Sequence, residues 1–264
     1  MAQKLAEKRV YKQLKRKIII VTLLLSITPL IFLTGVIYYQ FSKVSEHQVK
    51  QQLWQLSRSR SDAIDVFLRE RTNILAAIVN THTLTELSNQ ENLTRLFNIL
   101  NQQSKELGIV DLGVIDDKGE QLAYIGPFAL KGLNYYQQPW FSAVLGRNRY
   151  VSDVYLGYRQ LPHFIIAVRG QHIDHSWILR ATIDSDVINR LVRGAHIGEH
   201  VDAYIINEEG SYQTQPRFYG KLLGKSSINF QKFGEGTNVL EIINQNGKVS
   251  YYAGARLRNN PVSY

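Results

Sequence analysis

The 264-residue sequence contains no cysteine, which removes disulfides, thiolate metal sites and cysteine nucleophiles together. Glycine and proline are missing from residues 41 to 82, so nothing in that stretch breaks a helix. Acidic residues are scarce at the start, where Glu7 alone stands against Lys4, Lys8, Arg9, Lys12, Lys15, Arg16 and Lys17. Most of the formal net charge of +9 is therefore an N-terminal flank. No zinc-finger, helix-turn-helix or aromatic-basic RNA signature accompanies it, so nucleic acid is not an expected partner. A Gly-x-Ser-x-Gly elbow and a Gly-rich phosphate loop ahead of a helix are also lacking, which leaves a hydrolase triad or a nucleotide site without support. His172-Ile173-Asp174-His175 falls in a turn between two strand candidates, where solvated polar residues are expected rather than a metal site. No catalytic residue, metal ligand or cofactor is expected within this chain.

Long apolar runs are confined to one place. Ile18 to Tyr39 carries no charge and, at ~1.5 Å per residue, is long enough to cross a ~30 Å hydrocarbon core. The basic flank holds its N-terminal side in the cytoplasm, which places everything after about residue 40 outside, anchored in a bacterial inner membrane. Tyr38 and Tyr39 sit at the interfacial level, and Tyr-Tyr-Gln-Phe-Ser-Lys, rather than small residues, follows the run, which favours an uncleaved anchor over a signal peptide.

Beyond the anchor, Val44, Val49, Leu53, Leu56, Ile64, Phe67, Leu68, Ile74, Leu75 and Ile78 recur at helical spacing. A long helix is expected over 40–90, in position to pair with a second copy in a homodimer, followed by a second helical stretch at 91–106. From Ile109 the period becomes strand-like. Ile109–Asp116, the Asp117-Lys118-Gly119 turn and Glu120–Ile125 read as a hairpin. A short helix near 136–145, strands at 150–157, 163–169 and 176–184, and a helix begun by Ser185 or Asp186 and running through Val192 complete an α+β domain with one antiparallel sheet over 91–196. The remaining residues, 197–264, read as a smaller, incomplete sheet domain: a strand at 203–207, a Glu208-Glu209-Gly210 turn, and a hairpin of 239–243 with 249–255 across Asn244-Gln245-Asn246-Gly247. The end at Tyr264, just after Pro261, suggests part of a longer protein.

This order of pieces resembles the double-Cache sensor regions, two PAS-like domains in tandem, of bacterial histidine kinases and chemoreceptors. The residues that carry the likeness are Asp111-Leu112-Gly113-Val114-Ile115-Asp116 with Gly119, Trp140-Phe141, Val151-Ser152-Asp153-Val154, Pro162-His163-Phe164-Ile165-Ile166-Ala167-Val168 and Trp177 through Asp184. The resemblance implies a membrane-distal domain that binds a small molecule between its sheet and a short helix. It also implies a signal-transduction output beyond this chain: most similar is a two-component sensor histidine kinase, whose ATP would bind in the missing part, and next a chemoreceptor or diguanylate cyclase. In amino-acid-sensing members an Arg-x-Trp-Tyr segment holds the ligand carboxylate. Here Gln138-Pro139-Trp140-Phe141 replaces the Arg with Gln138 and the Tyr with Phe141. The family's acidic position falls on Asp184.

Strand alternation adds an independent reading, since Ile178, Arg180, Thr182 and Asp184 share the polar face of their strand. Arg180 and Asp184 stand about 13 Å apart at ~3.3 Å per residue, too far to hold one small amino acid between them. An amine or other polar organic molecule at Asp184, walled by Tyr136, Trp140 and Phe141, is the expected ligand. Tyr155, Arg159 and His163 flank a nearby loop and complete the candidate set. Ordinary core packing for Trp140 and Phe141, and helix capping for Asp184, are the competing readings. A membrane-tethered enzyme or a structural surface protein are the alternatives to a receptor.

Overall fold

The computed structural model describes residues 2–103, 107–172, 175–194, 201–234, 236–243 and 249–258. The chain divides into two compact units, Met1–Gln55 and Leu56–Tyr264. A single helix, α1 (Ala2–Thr81), contributes to both. In the first unit the apolar run is exposed from Ile18 to Tyr39, and Pro29 lies inside the helix without ending it. Thr22, Ser26, Thr28 and Thr34 each donate their hydroxyl to the carbonyl four residues earlier, at 2.6 to 2.9 Å. Each Ser and Thr hydroxyl of the run is thus satisfied within the helix, as a hydrocarbon surrounding demands.

In the second unit α1 buries Ser61, Ile64, Asp65, Leu68, Leu75 and Ile78, a stripe at helical spacing that faces the core. Two turns of this stripe bind main chain. Asp65 accepts from the Arg258 N–H with both carboxylate oxygens, at 3.0 and 3.1 Å, and the Ser61 hydroxyl donates to the Arg256 carbonyl at 3.3 Å.

Within the 40–90 segment the long helix ends at Thr81, beside the end near 82 that its uninterrupted stretch predicts, because Thr83 and Glu86 form a capping box that starts a new one. The Glu86 carboxylate accepts from the Thr83 N–H at 2.7 Å, and the Thr83 hydroxyl accepts from the Glu86 N–H at 3.2 Å. This opens α2 (Leu84–Ser88), followed by α3 (Gln90–Gln103). The expected end of the second helical stretch, at 106, lies outside the described residues.

The sheet contains β1 (Ile109–Asp116), β2 (Gln121–Ile125), β3 (Arg149–Val151), β4 (His163–His172) and β5 (His175–Asp184), in the order β2-β1-β5-β4-β3. Every neighbouring pair is antiparallel. Between them lie α4 (Pro139–Arg147) and a 3-10 turn (Gly157–Arg159), and α5 (Ser185–Arg193) follows β5. One sheet face, bearing Leu112, Val114, Phe164, Ile166, Trp177, Leu179 and Ala181, joins α1, α3 and α5 in the larger core. The opposite face carries Ile115, Ile165, Ala167 and Ile178 against Tyr135 and the α4 residues Trp140, Phe141 and Val144.

The strand expected at 150–157 stops at Val151. Past it, side chains take the amide hydrogens a ladder would use: Ser152 Oγ accepts from the Ile165 N–H at 2.9 Å, and Gln213 Oε1 from the Val154 N–H at 2.6 Å. Pairing resumes only as an isolated bridge between Tyr155 and His163. Likewise the strand expected at 203–207 reduces to one bridge, Ile206 to Tyr212, because Thr214 Oγ1 takes the Ile205 N–H at 2.8 Å and Asn207 Oδ1 the Ser211 N–H at 2.8 Å. The hairpin forms as β6 (Thr237–Ile243) with β7 (Val249–Ala255), a separate two-stranded sheet. Its expected turn residues, 244–247, fall outside the described residues, as does the chain end at 261–264.

Gly170 stands opposite Trp177 across the β4–β5 ladder, and a Cβ there would lie 2.2 Å from the indole Cε2. Trp177 is 1% exposed, so the ring has nowhere to retreat. Gly170→Ala is expected to destabilise the second unit by about 1–3 kcal/mol through overpacking, measured as a fall in the urea midpoint by tryptophan fluorescence.

Candidate ligand-binding site

The alternation expected on β5 is observed: Trp177, Leu179, Ala181 and Ile183 enter the larger core, while Ile178 sits in the core beneath α4, on the face that Arg180 and Thr182 share. What β1 places beside them depends on a bulge. Ile109 pairs with Ile183 and Asp111 with Thr182, so two residues of β1 span one step of β5. In unbroken register Val110 would oppose Thr182; the extra residue instead puts Asp111 there, on the face of Arg180.

Asp111 is fully buried and its carboxylate is gripped from three sides. Arg180 Nη2 donates to Oδ1 at 3.2 Å, and the Tyr124 hydroxyl donates to Oδ2 at 3.1 Å. Arg159, carried back over the sheet by the 3-10 turn, donates to Oδ2 as well and to Thr182 Oγ1 at 2.6 Å. Both guanidinium groups also cover aromatic rings, Arg159 that of Phe128 at 4.7 Å and Arg180 that of Tyr135 at 4.8 Å. Burial, and then the Asp111 charge, push the Tyr124 hydroxyl pKa upward, so it remains a donor.

Next to these satisfied groups lies a set that is not. Arg180 Nε, Trp140 Nε1, the Tyr135 hydroxyl and both ends of the Gln121 amide are buried without a hydrogen-bond partner among the described residues. Tyr135 lies against the Arg180 guanidinium, whose charge and polar contact oppose the burial that raises the hydroxyl pKa, although no bond of normal geometry joins the two. The four side chains are contiguous. The Tyr135 and Trp140 rings are 5.4 Å apart, and a Cβ on Gly113 would touch both Arg180 Nη2 at 3.5 Å and Gln121 Cδ at 3.7 Å. Buried polar atoms seldom stay unpaired, and several in one place fit a site for a polar molecule. Among the described residues no group of three His, Asp or Glu side chains fits a metal ion.

The residues expected from sequence divide accordingly. Trp140, Arg159, Arg180 and Thr182 belong to the cluster, with His163 and Tyr155 at its edge, their rings 4.6 Å apart. Phe141 packs beneath α4, and Tyr136, 66% exposed, lies over it at 5.9 Å between centroids. Gln138 occupies the N-cap position of α4 without a side-chain capping bond. Asp184 is exposed and accepts from the Asp186 N–H at 2.9 Å, taking the capping role that was its competing reading. The carboxylate beside Arg180 is Asp111, which the sequence reading took as one more residue of the first strand. Its signal was a lone acid inside an otherwise apolar Ile-Val-Asp-Leu-Gly-Val-Ile run. Gln121, Tyr124 and Tyr135 were missed as well.

Losing the shared carboxylate leaves two buried guanidinium groups uncompensated. Asp111→Ala is expected to cost about 3–5 kcal/mol of unfolding free energy, and pairing it with Arg159→Met is expected to cost less than the two single changes added, as read from a denaturant double-mutant cycle. His163 gives a pH signature. Its Nδ1 donates to the Leu161 carbonyl at 2.7 Å, and burial, followed by the charges of Arg159 and Arg180, lowers its pKa. The folded state therefore binds this proton less readily than the unfolded chain, so the stability His163 contributes is present above the unfolded value of about 6.5 and declines as pH falls below it. The stability difference between the natural chain and His163→Asn, which keeps the bond to Leu161, is expected to narrow between about pH 7 and 5.5; an unchanged difference in thermal melts over that window would exclude the linkage.

No protein-family model and no curated protein matches the sequence. Solved structures do. The extracellular domain of the putative histidine kinase rpHK1S-Z16 is 14% identical, with a TM-score of 0.61 over 83% of this chain and 93% of that one. The sensory domain of the Campylobacter jejuni chemoreceptor Tlp3 is 14% identical, with a TM-score of 0.62 over 83% and 94%. The ligand-binding domain of the Pseudomonas aeruginosa PAO1 amino-acid chemoreceptor PctC, solved with GABA, is 10% identical, with a TM-score of 0.54 over 78% and 98%. The chain thus has the fold of bacterial extracytoplasmic sensory domains.

Proposed function

We propose that this chain is the membrane-anchored, extracytoplasmic input module of a signal-transduction receptor, and that its second unit binds a small polar molecule between the sheet and α4. The observation that carries the reading is the buried group of unpartnered polar atoms on Arg180, Tyr135, Trp140 and Gln121, in a fold whose solved examples are sensory domains of a histidine kinase and of chemoreceptors. The apolar, fully exposed run at 18–39 with its cationic flank supplies the anchor in the inner membrane, N-terminus inside. The output is a two-component histidine kinase in this reading, with a chemoreceptor second. The module contributes binding and no catalysis, and it works as a homodimer joined along α1, where Val44, Val49 and Trp54 are exposed. The amine expected as ligand rested on Asp184, whose carboxylate is exposed and accepts from the Asp186 N–H at the start of α5.

Two readouts on the full chain test this. Alkaline phosphatase joined after Tyr264 is expected to be active in intact cells, and purified chain in lipid nanodiscs is expected to gain thermal stability with members of a metabolite library. Cytosolic placement of the reporter, or no stabilisation by any member, would sink the receptor reading.

A further inference from the structure

Resting on that reading of the site, we infer that its ligand is a compact carboxylate without an ammonium group, received by Arg180 together with Trp140, Tyr135 and Gln121. Charge balance comes first. Two guanidinium groups face a single carboxylate, Asp111, and that carboxylate is already covered by both of them and by the Tyr124 hydroxyl. Asp184, the only other acid expected nearby, is spent on α5. One positive charge is left in excess, in a place from which water is excluded, and there an anion is stabilised and a cation is not.

Donors dominate the unpartnered atoms, with the Gln121 carbonyl oxygen the one pure acceptor among them. Arg180 Nε and Trp140 Nε1 can only donate, and the Tyr135 hydroxyl and Gln121 amide can donate as well as accept. A carboxylate offers two acceptor oxygens to such a set and forms its strongest bonds with guanidinium N–H groups. An ammonium group, by contrast, would find its natural partner, Asp111, occupied. Gly113 lies directly against these groups. The backbone there carries no side chain between Gln121 and Arg180, and an added methyl would meet Arg180 Nη2 at 3.5 Å and Nε at 3.7 Å, ordinary contact distances. Gly113→Ala is therefore tolerated by the fold while filling the space in front of the free Nε.

The test uses the full chain in lipid nanodiscs and two matched series: propanoate, L-alanine and ethylamine, and 3-methylbutanoate, L-leucine and 3-methylbutylamine. Calorimetry is expected to show an acid binding at least about tenfold more tightly than its amino acid and its amine, the weight of one unfavourable charge. Arg180→Gln is expected to abolish that binding. Because this variant risks the fold, Gly113→Ala is measured beside it and is expected to weaken binding at least about tenfold with an unchanged thermal transition. An amino acid or amine that binds as tightly as its acid overturns the inference and leaves ligand sensing intact. Silence across the panel overturns it too; stabilisation by the metabolite library then separates this failure from that of the receptor reading.

Discussion

The second unit is organised around one carboxylate shared by two arginines. Asp111, Arg159 and Arg180 draw together β1, β5 and the turn ahead of β4, and none of the three is more than slightly exposed. Burying such charges is costly unless each is paired and bonded. Hence much of the surroundings exists to complete them: Tyr124 on β2, Thr182 on β5, and the rings of Phe128 and Tyr135 beneath the guanidinium planes. The bulge that brings Asp111 opposite Thr182 belongs to the same arrangement, because without it Asp111 would turn to the apolar face. The unpartnered donors next to this group are then intelligible, since a site that tolerates buried charge can also hold polar atoms in readiness for a guest.

Much of this was legible in the residues. Periods of two and near 3.6 fixed the sheet strands, α4 and α5, and the split of β5 into an apolar and a polar face needed only alternation. The apolar run and its cationic neighbour were equally plain. What stayed hidden depended on contacts between distant segments. Pairing register is not written in a single strand, so the bulge at Val110, and with it the role of Asp111, had no local sign beyond one acid in an apolar run. Asp184 shows the converse: the face rule places its backbone, but the side chain has a near partner in the first turn of α5, the capping alternative that alternation could not decide. The shortened strands at 150–157 and 203–207 failed similarly, since Ser152, Gln213 and Thr214 compete for the amide hydrogens that strand propensity assumes are free.

Under the proposed receptor function, a signal can come only from differential affinity for two states. The polar site lies on one face of the sheet and the stripe from Ser61 to Ile78 of α1 packs on the other. β5 serves both, with Arg180 and Thr182 on one side and Leu179 and Ala181 on the other. A shift of this strand that improves contact with a ligand must be felt by α1 as a change in packing, and close-packed interiors respond to such changes in discrete steps rather than by smooth deformation.

In the clasp on residues 256 and 258, Ser61 and Asp65 hold main-chain groups. Leu257, between the two clasped residues, packs against the larger core, and proline at position 258, which has no N–H to offer, is a substitution the clasp itself forbids.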